Sequence, residues 1–115
     1  MVRLESLKKS NHFKKALKEK KIHTDFFSIF AAKNFIKTDK SNLIISFVMK
    51  KKIGNAVKRN KIRRKLKAIV QKLLKKKSAI NKDYTYIVFG KSNAYTQKQD
   101  VLLPLMEKSF RKLHR

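Results

Sequence analysis

Residues 50–74 read KKKIGNAVKRNKIRRKLKAIVQKLL, and they are the most informative stretch of the chain for its architecture. Glycine and asparagine at positions 54 and 55 interrupt the preceding strand pattern, because both residue types favour turns and helix starts. Beyond them, apolar residues recur every three or four positions, which is the spacing of one face of an α-helix. These residues are Ile62, Leu66, Ile69, Val70, Leu73 and Leu74. The stretch therefore predicts a long helix that buries one apolar stripe against a core.

The other faces of this predicted helix are basic. The basic side chains are Lys58, Arg59, Lys61, Arg63, Arg64, Lys65 and Lys67. No acidic residue occurs between Asp39 and Asp83, so the helix lacks the Glu–Lys pairs that are common on solvated helix surfaces. A solvated surface is the alternative interpretation, but the missing acids favour a polyanionic partner that neutralises the charge.

The residues that lead into the helix complete an expected anion site. The cluster Lys50–Lys52 ends a strand, and the turn after it opens a helix N-terminus with free backbone N–H groups. Arg59, Arg63 and Lys67 then follow one another at intervals of one helical turn, so they can track a phosphate backbone. Asn60 is uncharged, and its amide can either bridge backbone groups or read an RNA edge.

The composition of the whole chain agrees with a nucleic-acid partner. At 115 residues it is expected to form a single RNA-binding domain over residues 1–115. It contains 32 Lys and Arg against 7 Asp and Glu, so its net charge of +25 favours nucleic acid first and an acidic membrane second. A hydrophobic content of 42% excludes a disordered basic tail. The absence of cysteine excludes disulfides, a thiolate zinc site and a cysteine nucleophile.

Apolar patterns on both sides of the basic helix predict a mixture of strands and helices. One helix is predicted over 6–18. Another lies near the C-terminus, and it either begins at 101–103 or is kinked at Pro104, because proline is tolerated only in a first turn. Strands are predicted at 21–24, 26–32, 43–49 and 84–89, with polar turn residues at 37–42. The predicted class is α+β, with a small sheet packed against helices.

No catalytic constellation is visible in the sequence. His12, His23 and His114 lack the spacing of metal ligands, and the acids are too few and too scattered for a two-metal nuclease site. A glycine-rich phosphate loop is also missing. This chain alone is therefore not expected to supply catalytic chemistry.

The sequence also bears on location. Its first residues contain no apolar segment typical of a secretory signal, and no apolar run is long enough to cross a bilayer. The expected location is the cytoplasm. A cationic membrane-surface protein is a poorly supported alternative, because the apolar stripe is sized for a protein core and tryptophan is absent.

The segment 51–64, KKIGNAVKRNKIRR, closely resembles the signature of the bacterial ribonuclease P protein subunit. That family has Lys-Lys-(Val/Ile)-Gly-Asn-Ala-Val-x-Arg-Asn-Arg followed by further basic residues. The opening LKKSNHF at 7–13 resembles the family's first helix, and Asp83-Tyr84 resembles the entry to its last strand. The resemblance therefore spans essentially the whole chain. A structural RNA-binding protein, such as a small ribosomal protein, is the competing class, and only the Gly-Asn-Ala-Val-x-Arg-Asn block separates the two.

This resemblance implies a fold and a function together. The expected order is α-β-β-β-α-β-α, with an uncommon left-handed crossover around the basic helix. The expected function is that of an accessory subunit in the ribonucleoprotein that removes the 5′ leader of precursor tRNA. Its partners would be the catalytic RNA and precursor tRNA, with no obligate protein partner and no membrane. Magnesium would act through the RNA subunit and substrate, with none bound by protein side chains alone.

By position, the resemblance implies two RNA-binding sites. The site for the RNA subunit comprises Lys51, Lys52, Asn55, Lys58, Arg59, Asn60, Lys61, Arg63, Arg64 and Lys67. The cleft for the single-stranded leader comprises Phe13, Leu17, Phe30, Val48 and Lys50. Leu17 stands where the family often has an aromatic residue, and Lys61 replaces the second arginine of the motif. A shift of one residue in the comparison would place Ile29 in the cleft instead of Phe30.

The phenylalanines of the chain have two competing roles. Their rings can stack on unpaired bases, or they can fill the core. A small domain needs most of its large apolar side chains for the core. For any single phenylalanine, including Phe13, the core interpretation is therefore favoured.

Overall fold

The computed structural model describes residues 3–7, 10–33, 42–76 and 79–113. The strands within these residues are β1 (Arg3–Glu5), β2 (Lys20–His23), β3 (Phe27–Lys33), β4 (Asn42–Val48) and β5 (Tyr84–Gly90). The helices are α1 (Ser10–Ala16), α2 (Ala56–Leu73) and α3 (Gln99–Leu113), with short 3-10 helices at Lys51–Ile53 and Ser92–Tyr95. The predicted polar turn at 37–42 lies outside the described residues, apart from Asn42, which begins β4.

The strands form one mixed sheet in the order β1-β4-β5-β3-β2. β4 and β5 are parallel neighbours joined through α2, and β3 is antiparallel to both β5 and β2. The predicted α+β class, with a small mixed sheet and three helices, is confirmed. β1 was not predicted, because it spans only three residues and is stabilised by parallel pairing with β4 far along the chain.

Side chains alternate along the strands, so the sheet has two different faces. One face packs against α2 and α3 and forms the main core. The predicted stripe of α2 lies in this core, with Ile62, Leu66, Ile69, Val70 and Leu73 all 0% exposed. The opposite face packs against α1 through a smaller apolar cluster of Leu7, Ala16, Ile44 and Ile87. The sheet therefore separates a large core from a thinner layer.

The first helix starts later than predicted. α1 begins at Ser10 rather than at residue 6. The preceding Leu7 is buried in the smaller apolar cluster, and its N–H donates to the Ser46 hydroxyl at 2.8 Å. This bond ties residue 7 to β4 ahead of the helix, so the apolar pattern at positions 4 and 7 reflects strand and cluster contacts.

The last helix starts earlier than predicted. α3 begins at Gln99, so Pro104 lies inside the helix and the predicted start at 101–103 is wrong. The N–H of Leu102 donates to the carbonyl of Lys98 at 3.2 Å, which closes a helical turn before the proline. Pro104 itself is exposed, so its ring stays outside the core.

Candidate nucleic-acid interface

The turn that opens α2 requires its glycine. Gly54 has φ 155° and ψ −165°, a backbone conformation that is essentially restricted to glycine. A Cβ at this position would also lie 2.8 Å from Cδ of Lys58. Asn55 then caps the helix, because its Oδ1 accepts a hydrogen bond from the N–H of Lys58 at 2.9 Å. The side-chain oxygen of Asn55, one of the predicted RNA contacts, is therefore engaged in the helix cap.

The ten residues predicted to bind the RNA subunit lie together on and just before the first part of α2, and we call them the basic surface. The exposed ones are Lys51, Lys52, Asn55, Asn60, Lys61, Arg64 and Lys67. Lys58, Arg59 and Arg63 are partly buried. Within the described ranges, no lysine or arginine of this surface forms an ion pair with an acid. Its positive charge is therefore uncompensated there.

Arg59 has a buried hydrogen-bond donor without a partner. Its Nε–H is shielded from solvent, and no acceptor is bonded to it among the residues that the structure describes. Leaving a buried donor unsatisfied costs about 1–3 kcal/mol, and more for a charged group. The guanidinium fork of arginine matches the oxygens of a phosphate group. The partly buried guanidinium of Arg59 is therefore a candidate phosphate contact through its remaining N–H groups, whereas its shielded Nε–H is out of reach of a ligand in this conformation.

Two polar side chains of α2 bond within the protein. Oδ1 of Asn60 accepts a hydrogen bond from the guanidinium of Arg63 at 2.8 Å, which orients that guanidinium along the helix. Nζ of Lys65 donates to three backbone carbonyls that follow β5, at distances between 2.6 and 3.0 Å. Burial, together with the nearby charge of Lys61, lowers the pKa of Lys65 from its ordinary value. Lys65 therefore anchors the chain after β5, although Arg64 and Lys67, on either side of it in sequence, belong to the basic surface.

A groove of about 540 Å³ opens on the α1 face of the sheet. Its lining residues are Leu17, His23, Ser28, Phe30, Lys50, Lys52, Ile53, Phe89, Gly90, Lys91 and Ser92. Three of the rings form a row by edge contacts: the centroids of His23 and Phe30 lie 5.7 Å apart, and those of Phe30 and Phe89 lie 5.4 Å apart. Nζ of Lys50 lies 5.7 Å from the centroid of Phe89. The groove thus combines an aromatic wall with cationic groups.

The five predicted cleft residues divide into two groups. Leu17, Phe30 and Lys50 line the groove. Phe13 and Val48 pack instead, partly buried, on the smaller apolar cluster beneath α1. The alternative residue Ile29 is fully buried in the main core on the other face of the sheet, so the structure places Phe30, and not Ile29, beside the groove.

Several lining residues escaped the sequence analysis. His23 and Ser28 face each other across the β2–β3 pairing, and Nδ1 of His23 lies 2.7 Å from the Ser28 hydroxyl. Ser28 is in turn paired with Phe89 of β5. These residues share a groove because of strand register, which no local pattern specifies. The nearest sequence signal is the alternation in β5 that puts Phe89 on the same side as Ile87.

The groove and the basic surface are continuous. Lys52 belongs to both, and Lys50 stands at the groove just before the 3-10 helix Lys51–Ile53. Gly90, which lines the groove, packs closely on the core, because a Cβ there would contact Met49 and would lie 2.8 Å from Cγ2 of Ile62 in α2. Lysine side chains therefore join the groove to the start of α2.

Two further kinds of site were sought in the part of the chain that the structure describes. No group of three or more histidine or acidic side chains is placed to hold a metal ion there. No helix in those ranges is both long and apolar enough to cross a membrane.

Comparison with known proteins identifies the family. The model of the Ribonuclease P family matches residues 1–114. The chain belongs to this family. It is therefore a protein subunit of bacterial ribonuclease P, the endoribonuclease whose RNA subunit catalyses 5′ processing of precursor tRNA, and it binds that RNA and precursor tRNA.

Solved structures of ribonuclease P proteins have the same fold. A structure from Staphylococcus aureus matches with TM-score 0.66 and 22% identity, over 95% of this chain and 91% of that one. A structure from Thermotoga maritima matches with TM-score 0.67 and 23% identity, over 90% and 96% of the two chains. A second Staphylococcus aureus structure matches with TM-score 0.60 and 26% identity, over 91% and 90%. A search of curated proteins gave no match.

Proposed function

We propose that the protein divides its RNA contacts between two adjoining sites. The basic surface binds the RNA subunit of ribonuclease P, and the groove holds the single-stranded 5′ leader of precursor tRNA. One observation carries the first assignment: no lysine or arginine of the basic surface has an acidic partner within the described residues, so RNA phosphates can neutralise that charge.

The groove has the chemistry of an unpaired nucleotide site. Bases stack on aromatic faces with little regard to sequence, and lysines at the rim attract the phosphates between them. Phe30 and Phe89 supply the rings, and Lys50 and Lys52 supply charge at the rim. Lys91 contributes less, because its Nζ already donates to the carbonyl of Thr24. Leu17 and Ile53 complete the apolar surface.

The hydrolytic step belongs to the RNA. Magnesium ions bound by the RNA subunit and the substrate would supply the chemistry of phosphodiester hydrolysis. The basic surface does not fit such an ion, since lysine and arginine are not ligands for magnesium, which prefers oxygen donors. The protein's part is to bind and orient RNA, and the expected compartment is the cytoplasm.

Reconstitution tests this division of labour. The protein is added to a bacterial ribonuclease P RNA at low magnesium, and cleavage and binding are measured with precursor tRNA that carries a leader and with mature tRNA. Phe30→Leu should weaken binding of the leader-bearing substrate by about 1–3 kcal/mol, the value of one lost base stack. Binding of mature tRNA should hardly change.

A matched control comes from the opposite face of the sheet. Phe47 is partly buried against the main core, so Phe47→Leu should lower thermal stability without changing the preference for a leader. The groove assignment fails if Phe30→Leu weakens leader-bearing and mature tRNA equally. The assignment of the basic surface fails if Arg59→Ala assembles with the RNA subunit as tightly as the unchanged protein.

A further inference from the structure

Tyr95 brings two lysines of the basic surface together. It lies in the 3-10 helix Ser92–Tyr95 after β5 and is partly buried against the main core. Nζ of Lys58 lies 5.2 Å from the centroid of its ring, and Nζ of Lys61 lies 4.9 Å from it. Both distances are those of cation–π contacts. Two ammonium groups of α2 are therefore held beside one aromatic ring.

The ring is held in place without any help from RNA. The three hydrogen bonds of Lys65 fix the backbone carbonyls of Ala94, Tyr95 and Gln97. Nζ of Lys58 also donates to the hydroxyl of Ser92 at 2.8 Å, at the start of the same 3-10 helix. The arrangement is thus a property of the free protein.

We propose that Tyr95 is a positioning residue of the RNA-subunit interface. Its ring holds the ammonium groups of Lys58 and Lys61 where phosphate oxygens of the RNA subunit bind them. The inference rests on the proposed function of the basic surface. It extends that surface to the segment after β5, which lies outside the motif at 51–64.

An aromatic ring suits this task better than a carboxylate does. Fixing a lysine side chain on binding costs rotamer entropy, so prior placement of the ammonium group lowers the cost of binding. A carboxylate would also place the lysine, but it would neutralise the charge that a phosphate needs. Within the described residues neither Lys58 nor Lys61 has an acidic partner. The ring orders both side chains and leaves their charge available.

The first experiment compares Tyr95→Leu with Tyr95→Phe in binding to a bacterial ribonuclease P RNA at moderate salt. Leucine retains apolar contact with the core but lacks the ring, whereas phenylalanine retains the ring. We expect Tyr95→Leu to weaken binding about three- to tenfold and Tyr95→Phe to stay within about twofold of the unchanged protein. Equal losses in the two variants, or full affinity of Tyr95→Leu, would overturn the proposal.

A double-mutant cycle tests whether Tyr95 acts through the lysines. In a protein that carries Lys58→Ala and Lys61→Ala, Tyr95→Leu should weaken RNA binding by less than about twofold further. Losses that simply add would mean that Tyr95 supports the interface in some other way, and the proposal would be wrong. Arg59→Ala, measured in parallel, distinguishes failure of the positioning role of Tyr95 from failure of the proposed function of the basic surface. If it weakens binding while Tyr95→Leu does not, only the positioning role fails; if neither weakens binding, the proposed function fails too.

The matched control is the pair Lys20 and Tyr84. Nζ of Lys20 lies 5.2 Å from the centroid of Tyr84, a similar distance outside the basic surface, and it also donates to the Tyr84 hydroxyl at 3.4 Å. Tyr84→Leu should leave RNA affinity within about twofold of the unchanged protein, while it reports the effect on folding of losing such a contact. An equal loss of RNA affinity in Tyr84→Leu would assign the effect of Tyr95→Leu to general destabilisation.

A spectroscopic measurement keeps the proposal testable if Tyr95→Leu fails to fold. Ring current from Tyr95 should shift the ε-methylene protons of Lys58 and Lys61 upfield in the free, unchanged protein, and the same shift should persist in Tyr95→Phe. Ordinary lysine shifts for both residues would overturn the proposal without any variant. Those resonances should move again on addition of inorganic phosphate if the two ammonium groups receive an anion.

Discussion

Basic residues lie at both ends of α2, but the rest of the protein pairs them differently. At the C-terminal end, Nζ of Lys72 donates to the side-chain oxygen of Gln99, and Nζ of Lys76 pairs with Glu107 at 2.8 Å. Glu107 also pairs with Arg111 at 3.0 Å. At the N-terminal end, no lysine or arginine of the basic surface has an acidic partner within the described residues.

This difference distinguishes basic side chains that are paired with an acid within the fold from those whose charge stays available to attract RNA. Exposed ion pairs add little net stability, but an acid beside a lysine lowers the potential that attracts RNA. α3 therefore compensates the end of α2 that it packs against and leaves the other end strongly positive. Positive charge alone therefore does not distinguish the two ends; the presence or absence of an acidic partner does.

The largest expected effect is on the free energy of unfolding, and it comes from a substitution in the apolar stripe that packs α2 against the core. Leu66 is 0% exposed, so Leu66→Ala should lower the free energy of unfolding by about 2–5 kcal/mol. Val57→Ala is the control on the same helix, because Val57 is 74% exposed and the change should stay within about 0.5 kcal/mol. Urea unfolding measures both. A small effect of Leu66→Ala would show that α2 is not anchored by this stripe.

The second prediction compares the affinity for the RNA subunit after one substitution near each end of α2. Arg59→Ala should reduce affinity for the RNA subunit by about 1–3 kcal/mol, because it removes a charged hydrogen-bond donor from the interface. Lys76→Ala should leave that affinity unchanged and slightly lower the melting temperature, since Lys76 is occupied by Glu107. Filter binding and thermal melts on the same preparations give both values. The comparison breaks down if Lys76→Ala weakens RNA binding as much as Arg59→Ala.

The salt dependence of RNA binding provides a further comparison of Arg59→Ala and Lys76→Ala. If about six to eight phosphates are neutralised, the slope of log affinity against log salt should be about −4 to −7, at ~0.7–0.9 per phosphate. Arg59→Ala should make that slope less steep by ~0.7–0.9, the contribution of one phosphate, whereas Lys76→Ala should leave the slope unchanged. A slope near −1 in the unchanged protein would mean that most of the charge is not used in binding.

The smallest expected effect is on thermal stability, and it concerns Glu107, the acid that pairs with Lys76 after the C-terminal end of α2. Hydrogen bonds from Lys76 and Arg111 lower the pKa of Glu107 in the folded protein. The folded state therefore favours the carboxylate, so the stabilisation is complete above the ordinary glutamate pKa and is lost as the pH falls through the lowered value. Glu107→Gln should melt slightly below the unchanged protein near pH 7. That gap should close below about pH 4, and a gap independent of pH would contradict this account.

Local sequence was enough to predict much of this protein. The spacing of Leu66 and its apolar neighbours predicts the buried stripe, and the Gly54-Asn55 pair predicts a helix start, because both signals depend on residues close together in the chain. The basic segment after Asn55 predicts an RNA partner for the same reason. The two helix starts were not predicted correctly: α1 begins after Leu7, which is bonded to β4, and α3 begins at Gln99, before the start at 101–103 that was one of the two alternatives.

The tertiary structure determines which basic side chains are bonded within the protein. Lys65 and Lys61 are both basic residues of one helix, yet Lys65 is bonded to carbonyls about thirty residues away. Glu107 reaches Lys76 only because α3 packs against α2, and Phe89 joins Phe30 only through the register of β3 and β5. Periodicity and composition describe neighbours along the chain, whereas pairing between distant strands and helices selects which side chains meet. The amino-acid pattern therefore specified a basic, core-forming helix, and long-range packing decided that Lys65 is bonded within the fold while Lys61 stays exposed.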